Sequence, residues 1–270
     1  MKKFTAALAI LCTVLCLCSG CSKASKSTES VELIVFAAAS MTETITTLGE
    51  WYMDEHPGVS ILFNFDSSGT LKTQIQEGAA CDIFISAGQT QMDQLDASAN
   101  TEGADFVLEG SRFDILENKV ALAVPDGNPA NIHSYTDLIS GLKSGNIMLA
   151  MGNSDVPVGQ YSQKILRYFE LDEDALSAAG SLTYASNAKE VTTQISEAIV
   201  DCGIIYQTDA FSAGLSVVDT ACTEMCGQVI YPAAIINTSG HPEAARAFLD
   251  FLISDAGDEI FSSVGYTPIA

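Results

Sequence analysis

Apolar residues follow two different spacings along this chain, and the two spacings alternate. Short β-branched runs predict strands at residues 32–37, 60–65, 82–86, 119–124, 146–150, 203–206, 216–218 and 229–236. Apolar residues three or four positions apart predict amphipathic helices at residues 41–55, 70–77, 161–169, 189–200, 242–254 and 256–264. Alternating strands and helices are typical of an α/β protein, in which mostly parallel sheets are flanked by helices.

The number of predicted strands favours two lobes over a single sheet. The chain has 270 residues, which is enough for two small units that each have a core. The runs at 119–124 and 229–236 are strongly β and are bordered by turn-rich sequence. If both carry the chain between lobes, lobe 1 comprises residues 31–117 plus 228–270 and lobe 2 comprises residues 118–227. Ligands of open α/β sheets bind beyond the carboxyl ends of strands, so the binding site is expected in the cleft between the lobes.

The N-terminus has the pattern of an export signal. Lys2 and Lys3 precede an apolar stretch at residues 4–17, which is too short to span a membrane. The segment ends in CSGC at positions 18–21, and small residues directly before a cysteine are typical of lipoprotein signals. We expect residues 1–20 to be a signal peptide, Cys21 to carry a lipid and residues 21–30 to be a flexible tether. The alternatives are an ordinary secretory signal cut nearby and a retained anchor. With an ordinary signal the protein is periplasmic rather than anchored to the outer face of the cytoplasmic membrane.

Charge and motif content narrow the functional class. The net charge of −22 argues against binding of nucleic acid, which needs a basic surface. It does not exclude a small anion in a recessed site, because surface charge is screened over about 8 Å at physiological salt. The sequence has no histidine spacing typical of a metal site and no hydrolase, P-loop or dinucleotide motif. We therefore expect neither an enzyme nor a resident cofactor. Whether Cys222 and Cys226 form a disulfide stays open.

Four junctions between a strand and a helix carry small polar residues, at 37–43, 65–71, 153–160 and 186–190. A helix N-terminus has free N–H groups and a partial positive charge, so each junction is a candidate anion site. Each could also be an ordinary helix start, since Ser40 with Glu43 has the spacing of a capping box and Asn187 with Glu190 is close to it. From the residues alone, capping and anion binding both stay open.

The motifs at these junctions resemble the periplasmic molybdate-binding protein family, from about residue 31 to the C-terminus. The matching segments are VFAAAS at 35–40, SGTL at 68–71, ACDIFISA at 80–87, VPVG at 156–159, GIIY at 203–206, TDA at 208–210 and YP at 231–232. The resemblance implies a two-lobed periplasmic-binding-protein type II fold. It also implies a solute-binding protein that captures molybdate, together with tungstate, for the permease of an ABC importer.

The resemblance further implies a set of ligand-binding residues. In the family, two serine hydroxyls, a tyrosine hydroxyl and backbone N–H groups hold the oxyanion. Carried over by motif, these residues are Ser40, Ser68 and Tyr206, with backbone N–H groups at Val158 and Ala188. We expect a monomer that contacts the membrane only through its lipid anchor. A sulfate-type or tungstate-selective protein is the nearest alternative, and an enzyme on the same scaffold is a more distant one.

Asp66 departs from the family pattern. It lies two residues before Ser68, where a small neutral residue is expected. A carboxylate that faced the site would repel a dianion. We therefore expect the Asp66 side chain to point away from the site, towards a backbone N–H in the turn.

Overall fold

A computed structural model describes residues 30–270 of the chain. Residues Val31–Ala270 form one compact unit. The predicted signal peptide, the predicted lipidation site Cys21 and the part of the predicted tether before residue 30 lie outside the described residues. Within the described part of the chain, no helix combines the length and the apolar character needed to cross a membrane.

Two sheets organise the described residues. The strands are β1 Val31–Ala38, β2 Val59–Asp66, β3 Ile83–Ile85, β4 Phe113–Asn118, β5 Val120–Val124, β6 Leu149–Gly152, β7 Leu182–Ala185, β8 Cys202–Tyr206, β9 Ser216–Thr220, β10 Val229–Ile235 and β11 Thr267–Pro268. The first sheet has the order β11-β4-β10-β3-β1-β2 and the second has the order β7-β6-β8-β5-β9. Each of the eight predicted strands overlaps an observed one, and the predicted α/β class is confirmed.

Both sheets are mixed, which corrects the prediction that they are mostly parallel. Strand β1 is parallel to β2 and β3, and β6 is parallel to β7 and β8. Strand β10 runs antiparallel to β3 and β4, and β5 runs antiparallel to β8 and β9. Both β5 and β10 enter their sheet directly after the chain has left the other one. They therefore run antiparallel to the strands beside them. By contrast, β1, β2 and β3 follow one another through helices and are parallel, and the same holds for β6, β7 and β8.

The chain passes between the two sheets twice, first at Lys119 and again between residues 221 and 228. The first sheet is built from residues 31–118 and 229–268, and the second from residues 120–220. The predicted lobe boundaries fall beside these two crossings. That the two parts move as separate lobes stays a prediction.

Helices connect the strands and cover the sheets. They are α1 Thr42–Glu55, α2 Ser68–Gln76, α3 Gln89–Asp93, α4 Tyr135–Ser144, α5 Pro157–Tyr168, α6 Glu173–Ala178, α7 Ala188–Ser196, α8 Gln207–Ala213, α9 Thr223–Cys226, α10 Pro242–Leu252 and α11 Asp255–Ser263. A 3₁₀ turn at Ala39–Met41 leads into α1. All six predicted helices are observed. Most of the strands and helices that the pattern missed are short; the exceptions are β4, which alternates apolar with charged residues, and the ten-residue helix α4.

The central strand β1 is covered on both faces, which explains its nearly continuous apolar sequence. Val35 and Ala37 pack into the large core cluster, whereas Phe36 points to the opposite face and packs with Leu71, Phe84 and neighbours. Packing on both faces fixes the end of β1, and therefore the position of the segment 38–40 that follows it.

Candidate functional site

A small cavity lies where loops from the two sheets meet. It has a volume of about 10 Å³ and is lined by Ala38, Ala39, Ser40, Ser67, Ser68, Ala87, Val156, Pro157, Val158, Ala188 and Tyr206. That space holds about one water molecule, so a tetrahedral oxyanion would have to move the lining residues apart; pockets for drug-sized ligands measure about 300–1,000 Å³. The structure thus brings together all five site residues predicted from the sequence; that they contact a ligand stays a prediction.

The N-termini of four helices meet at this cavity. Residues 38–40 lead from β1 into α1, and residues 67–68 lead from β2 into α2. Pro157 begins α5 and Ala188 begins α7. The first N–H groups of a helix have no carbonyl partner within the helix, and the helix dipole places partial positive charge at the same end. Both sheets therefore direct donors and positive potential at one point.

Residues beside the predicted ones cap two of these helices. Ser67 Oγ accepts a hydrogen bond from the Thr70 N–H at 3.1 Å, and Asn187 Oδ1 accepts one from the Glu190 N–H at 3.0 Å. The Ser68 hydroxyl and the Ala188 N–H therefore remain for other partners. The capping alternative for Ser40 is wrong, because neither the 3₁₀ turn nor α1 has a side-chain cap.

Ser68 is fully buried and its oxygen is held from behind. Its Oγ accepts a hydrogen bond from the Ala87 N–H at 2.9 Å. A hydroxyl that accepts in this way still has its own proton to donate. Asp66 points away as expected, since its Oδ1 accepts from the Ser67 N–H at 2.7 Å. Ser68 can therefore donate into the cavity without a carboxylate beside it.

Ser40 is also buried against protein groups. Its Oγ lies 3.2 Å from Tyr231 Oη, and its carbonyl oxygen accepts a hydrogen bond from the Tyr266 hydroxyl at 3.2 Å. Burial raises the pKa of both tyrosines, so both are protonated donors at neutral pH. Ser40 is thus fixed in its side chain by Tyr231 of β10 and in its backbone by Tyr266, which lies just before β11.

Tyr206 lies at the end of β8 and its hydroxyl reaches across the cavity. The hydroxyl donates to the carbonyl oxygen of Ala87 at 3.1 Å, and so joins the second sheet to the loop after β3. Burial raises its pKa far above the usual value, so it keeps this proton. The single proton of Tyr206 is therefore engaged with Ala87 in this structure, and a bound anion would have to compete for it.

Backbone groups complete the donor set on the side of the second sheet. Val158 is the second residue of α5, Ala188 is the first residue of α7, and both side chains are buried. Pro157 suits the first position of α5, because its missing N–H is one that a helix start leaves unpaired. The contacts assigned to Val158 and Ala188 use the backbone, so their apolar side chains do not conflict with an anion site.

Two charged groups near the cavity, Lys189 and Asp209, are respectively paired and buried. Among the described residues, those that line the cavity are all uncharged. Lys189 follows Ala188 and forms an ion pair with Glu43 of α1, which links the two sides of the cavity. Asp209 is 2% exposed and both of its carboxylate oxygens are without a hydrogen-bond partner. Burial, partly offset by Lys189, raises its pKa to about 7.

A larger surface groove of about 790 Å³ has the wrong chemistry for an anion. Its lining includes the carboxylates of Asp96, Asp105, Glu109 and Asp114. The groove also contains Arg112, whose Nη1 lies 3.0 Å from Asp96 Oδ2. Because this cation is already neutralised, the groove is acidic overall. The small cavity is the better candidate.

Sequence reasoning missed Ala87 and the groups that hold Ser40. Ala87 supplies both an N–H to Ser68 and a carbonyl to Tyr206. Ala87 ends the motif at 80–87, and Tyr231 lies in the motif at 231–232. Membership of a family motif could therefore have pointed to both residues. The four cysteines of the described part, Cys81, Cys202, Cys222 and Cys226, are free thiols.

Comparison with known proteins decides the family. Bacterial extracellular solute-binding proteins form a family whose pattern matches residues 33–267. The chain belongs to this family. The resemblance recognised in the motifs is thereby confirmed. Family members are solute-binding proteins of transport systems, and the geometry above is that of a solute-binding protein with its cavity between two sheets.

Individual relatives narrow the comparison. The molybdate-binding protein ModA of Escherichia coli K12 is 32% identical over 242 residues, which cover 87% of this chain and 89% of that protein. The substrate-binding lipoprotein YvgL of Bacillus subtilis is 28% identical over 271 residues, which cover 98% of this chain and 98% of that protein. The structure of the Azotobacter vinelandii periplasmic molybdate-binding protein has a TM-score of 0.74 at 20% identity, covering 88% of this chain and 100% of that one. This last likeness establishes the two-sheet periplasmic-binding-protein fold.

Proposed function

We propose that this solute-binding protein captures molybdate, with tungstate as a near equivalent, and delivers it to the permease of an ABC importer. The observation that carries the proposal is the convergence of four helix N-termini and two serine hydroxyls on one cavity with uncharged walls. In this proposal the anion is the cargo, and the protein has neither a resident cofactor nor an enzymatic activity.

Neutral donors can hold a dianion if they are fixed in advance. A hydrogen bond to a charged group contributes about 1.5–3 kcal/mol. About six such bonds, less the cost of dehydrating the anion and ordering the site, leave about −8 to −11 kcal/mol. That range corresponds to dissociation constants from about micromolar to about ten nanomolar.

A site built only from donors also selects by protonation state. Molybdate, tungstate and sulfate carry no proton at neutral pH, so every anion oxygen can accept. Hydrogen phosphate would turn one O–H towards a protein donor, and an unpaired buried contact of this kind costs about 1–3 kcal/mol. The molybdate-binding relatives support molybdate among the deprotonated anions, and sulfate is the nearest rival.

Calorimetric titration of the protein with molybdate, tungstate, sulfate and phosphate tests the proposal. We expect one-to-one binding of molybdate and tungstate, with sulfate at least about a hundredfold weaker. Equal binding of sulfate would keep the site and change the cargo. Failure of all four anions to bind would contradict the proposal.

We further propose that the protein is held at the outer face of the membrane by a lipid on Cys21. The pattern of residues 1–21 and the lipoprotein relative support this. Replacing Cys21 with Ser should release the protein from the membrane fraction of expressing cells. Unchanged membrane association of C21S would contradict the anchor.

A further inference from the structure

A chain of buried polar groups lies behind Ser40. Asn118 ends β4 at the first crossing between the sheets and is 4% exposed. Its Nδ2 lies 2.9 Å from Thr208 Oγ1 and 3.2 Å from Tyr231 Oη. Tyr231 Oη in turn lies 3.2 Å from Ser40 Oγ. This series of hydrogen bonds therefore extends from the first crossing between the sheets to Ser40 in the wall of the cavity.

The direction of each hydrogen bond in this chain follows from one fixed group. The Lys119 N–H donates to Asn118 Oδ1 at 2.8 Å, so the Asn118 oxygen faces the backbone and its NH₂ faces Tyr231. An amide nitrogen can only donate, so Tyr231 Oη accepts from Asn118. Tyr231 then has one proton, which goes to Ser40 Oγ. Ser40 accepts from Tyr231 and keeps its own proton for the cavity.

The two site serines are thus alike. Ser68 accepts from the Ala87 N–H, and Ser40 accepts from Tyr231. In both cases a donor behind the hydroxyl leaves the serine proton to face the anion. A backbone N–H can act only as a donor, so Ser68 needs no further control. A tyrosine hydroxyl can donate or accept, so the Ser40 proton faces the cavity only if a further group makes Tyr231 the donor.

We propose that Asn118, acting through Tyr231, orients the Ser40 hydroxyl as a donor to the bound dianion and so contributes to rejection of protonated anions. The inference rests on the proposed function and assigns two positioning residues to that site. If Tyr231 donated elsewhere, Ser40 could donate to Tyr231 and turn a lone pair to the cavity. Such a lone pair repels a dianion and accepts the proton of hydrogen phosphate.

Tyr231→Phe is the conservative test. It removes the donor behind Ser40 and frees the serine hydroxyl to donate or accept. We expect molybdate affinity to stay within about fivefold of wild type, because Ser40 can still donate. The preference for molybdate over inorganic phosphate at pH 8 should fall by about tenfold or more, because Ser40 can now also accept.

Tyr266→Phe is the matched control. It removes another buried tyrosine hydroxyl that contacts Ser40, but this one binds the carbonyl oxygen rather than the hydroxyl. Because Tyr266 supports the backbone of Ser40, we expect Tyr266→Phe to weaken molybdate and phosphate binding alike, so that the preference between the two anions matches that of wild type. A change in preference as large as that of Tyr231→Phe would mean that packing, and not proton direction, sets the preference, and would overturn the inference.

Asn118→Asp tests the other end of the relay, meaning the hydrogen bonds that lead from Asn118 through Tyr231 to Ser40. The carboxylate can still accept from Lys119, but it presents an acceptor to Tyr231 and reverses the relay. We expect molybdate binding at pH 8 to weaken by about thirtyfold or more. Repulsion by the new charge would also weaken binding. The double variant Asn118→Asp/Tyr231→Phe separates the two causes, because it keeps the charge and cuts the relay.

Recovery of the double variant to within a few-fold of Tyr231→Phe supports the relay. A double variant as weak as Asn118→Asp alone, or an unchanged preference in Tyr231→Phe, overturns the inference and leaves the proposed function standing. If wild type binds none of the oxyanions, the proposed function fails and the inference fails with it. The Tyr231→Phe comparison decides the matter should Asn118→Asp fail to fold.

Discussion

The Tyr206 hydroxyl donates to the carbonyl oxygen of Ala87 at 3.1 Å, across the cavity that the two sheets share. Ala87 also donates its N–H to Ser68. Ala87, in the loop after β3, therefore contacts Tyr206 of the second sheet and Ser68, which follows β2 of the first sheet. Because Tyr206 has one proton, binding of an anion through this hydroxyl must exchange the Ala87 carbonyl for an anion oxygen.

This exchange predicts a modest effect of Tyr206→Phe. A hydrogen bond to a neutral acceptor contributes about 1 kcal/mol and one to a charged acceptor about 1.5–3 kcal/mol, so the gain on exchange is about 1 kcal/mol. Molybdate affinity measured by calorimetry should fall about fivefold. Tyr161→Phe is the control, since its hydroxyl contacts the Gln228 carbonyl at 3.4 Å. Affinity that is unchanged in Tyr206→Phe would mean that the hydroxyl stays on Ala87 in the complex.

Ser68→Ala should weaken binding more strongly. It removes a donor to the anion and leaves the Ala87 N–H without its acceptor. We expect a loss of about 10–100-fold in affinity, together with a fall in unfolding free energy of about 1–3 kcal/mol. Ser111→Ala is matched for stability, because Ser111 is fully buried and accepts from the Ile235 N–H at 3.1 Å. Equal affinities for the two variants would remove Ser68 from the site.

Gly69→Ala tests whether binding needs the close approach of the two sides. A Cβ at position 69 would lie 2.2 Å from the Asp155 carbonyl oxygen, which belongs to the loop after β6. The backbone at 69 is helical, so the alanine itself is well tolerated in α2. The prediction assumes that residues 69 and 155 separate when no anion is bound. The melting temperature without ligand should then stay close to that of wild type, whereas molybdate affinity should be at least about tenfold weaker.

Gly58→Ala provides the control for Gly69→Ala. A Cβ at position 58 meets nothing within 4 Å. Its affinity and melting temperature should both match wild type. If Gly69→Ala binds as tightly as Gly58→Ala, the contact between residues 69 and 155 is not part of the bound state.

The buried Asp209 predicts a pH-dependent stability. Its pKa is raised from 3.8 to about 7 by burial, against the effect of the Lys189 charge, while Glu43 adds repulsion. Between these values the folded protein binds more protons than the unfolded chain, so stability falls as pH rises from about 4 to about 7 and stays low above that. Asp209→Asn should remove this fall in melting curves recorded from pH 5 to pH 8.

Asp250→Asn is the control for Asp209→Asn, because it removes the same charge from an exposed position of α10. It should retain the wild-type decline in melting temperature between pH 5 and pH 7. A decline that persists in Asp209→Asn would show that another group titrates in that range.

Some features of the site can be predicted from local sequence pattern. Ser40, Ser68, Val158 and Ala188 each follow a strand and begin or precede a helix, and this is visible in a window of about ten residues. Tyr206 ends a β-branched run in the same way. Local pattern therefore located strand ends that lead into helices, but the choice of these five residues as one site came from the resemblance to the molybdate-binding family; the structure joins them in one cavity.

The hydrogen bonds within the site could not be predicted in this way. The Asn118–Tyr231 pair is separated by 113 residues and the Tyr206–Ala87 pair by 119. These contacts exist only once β10 lies beside β4 and the second sheet lies over the loop after β3. The same holds for the mixed sheets, because the direction of β5 and β10 depends on which sheet the chain has just left.

Diffraction from crystals grown with tungstate, recorded at the tungsten absorption edge, tests the central claim most directly. The account predicts one strong anomalous peak inside the cavity, with anion oxygens at hydrogen-bonding distance from Ser40 Oγ, Ser68 Oγ and the N–H groups of Val158 and Ala188. A tungsten peak elsewhere, or a cavity that stays without one at saturating tungstate, would contradict it.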